Sequence, residues 1–297
     1  MKTIKQRISY AVMALVAMGF TACTQNEDMA PTLKGQEINV TFSVGGLQTR
    51  VNTLGAGNRW ENDDQINVLQ IYGDESTNTG KYQYLEENGQ ARWNSVKTIR
   101  WEREERCELI AWYHSDITNP FIYNLHPDQS DEDLLKKADL INGYWYGIPK
   151  DYVDIPMKHR MSLVTIVYHV GTADYPNMDI SEPQVYSKHT SVYFDRDQEQ
   201  RQFVMEAPTG NPDWVKACKH DDGMFSAIVI PGSYIKDEIF LKFKIGDNNF
   251  NAKMKMPTDF EEGKRYTYKL DVGKDIVKLT RISVNDMTGW TNEEELK

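Results

Sequence analysis

Ile239-Phe240-Leu241-Lys242-Phe243-Lys244-Ile245, then Gly246-Asp247-Asn248-Asn249, then Phe250-Asn251-Ala252-Lys253-Met254-Lys255-Met256, is the stretch that decides the fold. Ile239, Leu241, Phe243 and Ile245 alternate with Phe240, Lys242 and Lys244. Phe250, Ala252, Met254 and Met256 alternate with Asn251, Lys253 and Lys255. Successive side chains of an extended strand point to opposite faces, so a period of two gives each segment one apolar row. The polar turn at 246–249 joins them as a hairpin.

The same period recurs outward from this hairpin. Ile38, Val40, Phe42 and Val44 alternate with Asn39, Thr41 and Ser43; Val164, Ile166, Tyr168 and Val170 follow suit; Tyr266, Tyr268, Leu270 and Val272 point one way and Thr267 and Lys269 the other. Strands with one wet face are those of antiparallel sheets packed as sandwiches, so the chain is read as all-β. A single short helix is predicted at 130–140, capped by Ser130, with Asp131, Glu132 and Asp133 in the first turn, where the helix dipole favours anions.

The first residues form an address label. Lys2, Lys5 and Arg7 precede an uncharged apolar run from Ile8 to Phe20 that is too short to span a membrane, and small residues Thr21-Ala22 precede Cys23. Phe20-Thr21-Ala22-Cys23 resembles a bacterial lipobox, which makes 1–22 a signal peptide, Cys23 the lipidated residue and 23–36 a tether. Thr24-Gln25-Asn26-Glu27-Asp28 resembles the segment that directs such lipoproteins to the outer surface in Bacteroidetes. Several acyl chains on one cysteine give stable anchoring, as a single chain does not.

Composition narrows the partners. The net charge is −10, and loss of the three signal cations takes it to −13. Nucleic-acid binding calls for clustered Lys and Arg, so nucleic acid is excluded as a partner. Beyond Cys23 the cysteines are Cys107 and Cys218, which stand either as two free thiols or as one pair. Metal-ligand spacings, a nucleophile elbow and a phosphate loop are all absent, so neither a metal, a cofactor nor a catalytic residue is expected. His169 reads as a solvated strand residue. Tyr144-Trp145-Tyr146, between Gly143 and Gly147, reads as a loop that either stacks on sugar or protein or plugs a junction between domains.

Several segments together resemble the fimbrillin family of Bacteroidales lipoproteins (Mfa-like). They are Trp60-Glu61-Asn62-Asp63-Asp64-Gln65-Ile66-Asn67-Val68 after Thr49-Arg50; Ile99-Arg100-Trp101 with Glu108 to Tyr113; Asp131 to Leu135 with Ile155 to Leu163; Phe260 to Tyr268; and Trp290. The resemblance implies two tandem transthyretin-like antiparallel β-sandwich domains, divided here as 37–157 and 158–297. It also implies a component of type V pili at the outer membrane and fimbrium, with other pilus subunits as partners. In polymerising members an arginine-directed protease removes the first strand and a neighbour's strand fills the vacated groove. By position Arg50, followed by Val51, matches the cleavage site. The strand to be displaced then carries Ile38, Val40, Phe42 and Val44. The candidate donor is 276–284, with Val277, Leu279, Ile282 and Val284 as its inward set and a bulge near Thr280-Arg281. The alternative is a surface lipoprotein that does not polymerise and binds a glycan or a host protein through Tyr144 or Trp145.

Overall fold

A computed structural model of the chain describes residues 32–44, 60–113, 117–171, 179–220, 223–273 and 276–287. The first half comprises β1 (Val40–Val44), β2 (Gln65–Tyr72), β3 (Glu75–Glu87), β4 (Gln90–Lys97), β5 (Cys107–Tyr113), β6 (Ile122–Asn124), α1 (Glu132–Ala138), β7 (Ile141–Gly147) and β8 (Val153–His159). The second comprises β9 (Ser162–Val170), β10 (Ile180–Ser187), β11 (Ser191–Asp197), β12 (Gln202–Met205), β13 (Asp213–Lys216), β14 (Cys218–His220), β15 (Met224–Val229), β16 (Gly232–Tyr234), β17 (Ile239–Ile245), β18 (Asn248–Lys253), β19 (Thr258–Phe260), β20 (Lys264–Gly273) and β21 (Ile276–Asp286). The chain is all-β with one short helix among the described residues.

Seven strands make the first sheet, in the order β1-β8-β7-β5-β2-β3-β4. Its two outer strands approach each other: the rings of Phe42 on β1 and Trp93 on β4 lie edge to face with centroids 4.7 Å apart. The sheet thus curls around a core that includes Ile38, Phe42, Trp60, Ile66, Val68, Tyr82, Leu109 and Ile155. The other face of β2 and β5 carries Leu69, Ile71, Ile110 and Trp112 into a second core. That core lies between the sheet β13-β10-β17-β18 and the sheet β14-β15-β9-β20-β21. A three-stranded sheet, β12-β11-β6, ties the halves together, because β6 pairs antiparallel with β11 from far along the chain. Burying both faces of β2 and β5 explains the run Val68 to Tyr72, which is buried throughout instead of alternating.

Several local details differ from the sequence reading. The hairpin turn is two residues long, Gly246-Asp247, with Gly246 at φ +58, so β18 starts at Asn248 opposite Ile245. The register shifts between Ile239 and Leu241, turning Phe240 inward among Tyr234, Phe260 and Tyr268 and leaving Ile239 exposed. Met256, expected inside, is also exposed. Thr267, expected outside, is buried. The helix is capped by Asp131, whose carboxylate accepts from Leu134 N at 2.8 Å; Ser130 only donates its backbone N–H to Asp128. Tyr144, Trp145 and Tyr146 form no loop: they lie in β7, paired with Ile110, Leu109 and Glu108 of β5. Tyr144 packs on the second core and Trp145 on the first, as neighbours on a strand must face opposite ways.

Candidate assembly site: the seat of the first strand

The first strand sits between two separate edges. Residues 35–38 run antiparallel to 99–101, with Gly35 N donating to Trp101 O at 2.7 Å, Trp101 N to Gln36 O at 3.0 Å and Ile38 N to Ile99 O at 3.1 Å. Beyond Asn39, whose carbonyl accepts from Val153 N at 2.9 Å, the chain becomes β1 and pairs parallel with β8, from Val40↔Val153 to Val44↔Met157. All four inward side chains are buried: Ile38, Val40, Phe42 and Val44 are each at most 4% exposed. Fully burying them contributes roughly 6–12 kcal/mol. A typical domain's net stability is about 5–15 kcal/mol, so this one segment carries a stabilisation of that order.

The seat supplies polar partners as well as apolar pockets. The Trp60 indole N–H donates to Phe42 O at 2.9 Å, and the Tyr82 hydroxyl donates to Ile38 O at 2.8 Å. On the outer face the Asp154 carboxylate accepts from Thr41 Oγ1 at 2.9 Å and from Ser43 Oγ at 3.2 Å. Burial pushes the Tyr82 phenol well above its ordinary range, so it stays a neutral donor. The spacing of Trp60 and Asp64 also gains a physical meaning. Asp64 accepts from Glu61 N at 2.7 Å and from the Tyr113 hydroxyl at 2.6 Å, pinning the turn from which the Trp60 ring reaches the strand. Burial raises the Asp64 carboxyl, and the two hydrogen bonds only partly offset that. The roles of Tyr82 and Asp154 had no sequence signal, because they meet the strand only in space.

The candidate donor segment is β21, the outer strand of its own sheet, antiparallel to β20. Leu279 is buried and Val277 partly so, whereas Ile282 and Val284 are 56% and 44% exposed. The register shift leaves Ile282 as the extra residue between Arg281 and Ser283, one place beyond the expected bulge. Exposure of Ile282 and Val284 departs from an inward row of four: among the described residues nothing buries the far end of this edge strand. Cys23, Arg50 and Val51 lie outside the described residues. Cys107 and Cys218 are buried free thiols, and His169 is exposed. Among the described residues no cluster of His, Cys, Asp and Glu could hold a metal, and no helix is long and apolar enough to cross a membrane.

Fold and site together define an all-β module with a deeply seated first strand. The chain is a member of the fimbrillin-like family, whose profile matches residues 49–288, well over half its length. That family is one of fimbrial and adhesion proteins, whose members work with other pilus subunits at the cell surface. Solved structures share the fold, among them the following three. A candidate cell adhesion protein from Bacteroides uniformis is 16% identical with a TM-score of 0.61, covering 85% of this chain and 98% of its own. One from Bacteroides ovatus is 17% identical with a TM-score of 0.61, covering 88% and 100%. One from Bacteroides fragilis is 9% identical with a TM-score of 0.50, covering 86% and 99%. No curated protein matches the sequence.

Proposed function

We propose that this chain is a lipid-anchored subunit or accessory component of a type V pilus. In this reading residues 1–22 are removed, Cys23 is acylated in the outer membrane, and 23–36 tethers two sandwiches, 37–157 and 158–297. Cleavage after Arg50 then frees the first strand, and a neighbouring subunit's 276–284 segment, with Val277, Leu279, Ile282 and Val284 at alternating or bulged positions, occupies the seat by strand addition.

The observation that carries the reading is the contrast between the strand's burial and its attachment. Ile38, Val40, Phe42 and Val44 fill pockets made by β8, Trp60, Tyr82 and 99–101. The segment's covalent link to that scaffold runs through 45–59, which includes Arg50. An emptied seat would present apolar pockets and unpaired strand edges, an arrangement that favours capture of another chain's backbone. The exposure of Ile282 and Val284 on β21 supports the donor role.

The test treats the purified full chain and an Arg50→Ala variant with an arginine-specific protease. The wild type should lose residues up to Arg50 and give a ladder of oligomers, while the variant, with Arg59 also replaced by Ala to remove the second arginine of the link, keeps its first strand and stays monomeric. A wild-type chain cut at Arg50 that remains monomeric would overturn strand exchange for this protein.

A further inference from the structure

A second feature shares β8 with the seat of the first strand. A groove of about 560 Å³ runs between β7–β8 and β12 and is lined in part by Asn142, Tyr144, Lys158, Arg160, Arg201 and Glu262. Three cations against one carboxylate is the reverse of the chain's overall balance of −10. The carboxylate is already engaged: Glu262 lies 3.1 Å from Arg160 Nη1. Lys158 and Arg201 are exposed, and the Arg201 guanidinium rests 5.1 Å above the Tyr146 ring. Two buried donors in the walls have no acceptor. They are Asn142 Nδ2 and Arg160 Nε, on residues 2% and 4% exposed. Arg160 spends its other nitrogens on Glu262 and the Phe203 carbonyl. Buried donors left unmatched are costly and uncommon, and here both border the same cationic groove.

We propose that this groove binds an acidic saccharide, one pyranose ring lying along Tyr144 and its carboxylate or sulfate held by Lys158 and Arg201. The volume suits a mono- or disaccharide. Tyr144 offers a half-buried aromatic side chain for a sugar's C–H face. Charge-assisted hydrogen bonds from Lys and Arg are the strong polar contacts available for an oxyanion. Glu262, held by Arg160, repels a second acidic group and favours ligands with a single charge near the rim. Lys158 lies on β8, one place past Met157, the last residue paired with the first strand; the other five residues lie outside the strand and its seat, and the proposal does not depend on strand exchange.

Isothermal titration of the full chain with methyl β-glucuronide, glucose 6-sulfate and neutral methyl β-glucoside tests it. The expected result is saturable binding of at least one anionic sugar, weakened by added salt, with no binding of the neutral one; the anionic arms tell carboxylate from sulfate. A Lys158→Gln/Arg201→Gln chain should bind at least about tenfold more weakly, and a Glu262→Gln chain as tightly or more so. Both substituted cations are exposed, and matching thermal melts would confirm an intact fold; Arg201→Gln alone serves if the double variant does not express. Failure of both anionic sugars to bind, equal binding of the glucoside, or undiminished binding by the double variant would each overturn the proposal.

Discussion

Replacing Phe42 by alanine probes the seat at its centre. The ring is 1% exposed and touches Trp93 edge to face at 4.7 Å and Tyr82 at 5.9 Å, so little can collapse into the space it leaves. Phe-to-Ala changes in such sites cost about 3–5 kcal/mol, the lost transfer energy plus that of the cavity. In a chain of this size each kcal/mol lowers the melting temperature by about 2–4 °C, so the midpoint should fall by about 6–20 °C. The assay is thermal unfolding followed by tryptophan fluorescence, which Trp93 against the ring and Trp60 packed on Trp93 make sensitive to this region. Ile282→Ala is the matched control, an apolar truncation on an exposed edge that should move the midpoint by no more than about 0.5 kcal/mol allows. If the two variants melted together, the first strand would not be held by the pockets described, and the energetic argument for its seat would fail.

Three further outcomes follow from the same geometry. Arg196→Met should destabilise by about 3–5 kcal/mol, since it strands the buried Glu108 carboxylate 3.1 Å from its Nη1 and removes a contact to the Gly73 carbonyl; chemical denaturation would measure it. Burial pushes the Cys107 and Cys218 thiols up to about 11, so at pH 8 a native Cys23→Ser chain should resist iodoacetamide and take up two equivalents only after unfolding. The Asp64 carboxyl is raised in the fold, so the unfolded chain releases that proton first; its contribution to stability is fully present below the unfolded value and is lost as pH rises through the folded one. Asp64→Asn should therefore gain stability relative to wild type as pH rises from 3 to 7, in urea melts at each pH; a constant or shrinking difference would contradict a raised Asp64.

Much of the architecture could be read from alternation alone. The row Ile38-Val40-Phe42-Val44 is buried as a period of two requires, whereas in β9 Ser162 to Ile166 are buried on both faces and Tyr168 and Val170 are only half-buried, so the expected wet face is missing there. Periodicity assigns a face but not a partner, so it carried no signal that β1 runs parallel to β8, that β9 runs parallel to β20, or that β6 joins β11. It also fails at bulges, where one extra residue breaks the alternation on one side of it. Phe240 inside and Ile239 outside, and the extra Ile282, are both of this kind. The aromatic trio in β7 read as a loop because of its flanking glycines. Gly143 serves instead to let β8 come close, since a Cβ there would lie 2.5 Å from Pro156 O. The strand seat was legible on the strand's side only. Trp60 and Asp64 showed as a spaced pair without a visible role, and the cationic groove draws on residues near 142, 158, 201 and 262 that converge only in three dimensions.

The central claim is that the first strand holds a place later taken by a neighbour. Mass spectrometry of the N-terminus of this subunit, taken from assembled surface fibres, tests it most directly. The account requires chains that begin at Val51 and lack 37–44. Fibres whose subunits all keep those residues would contradict it.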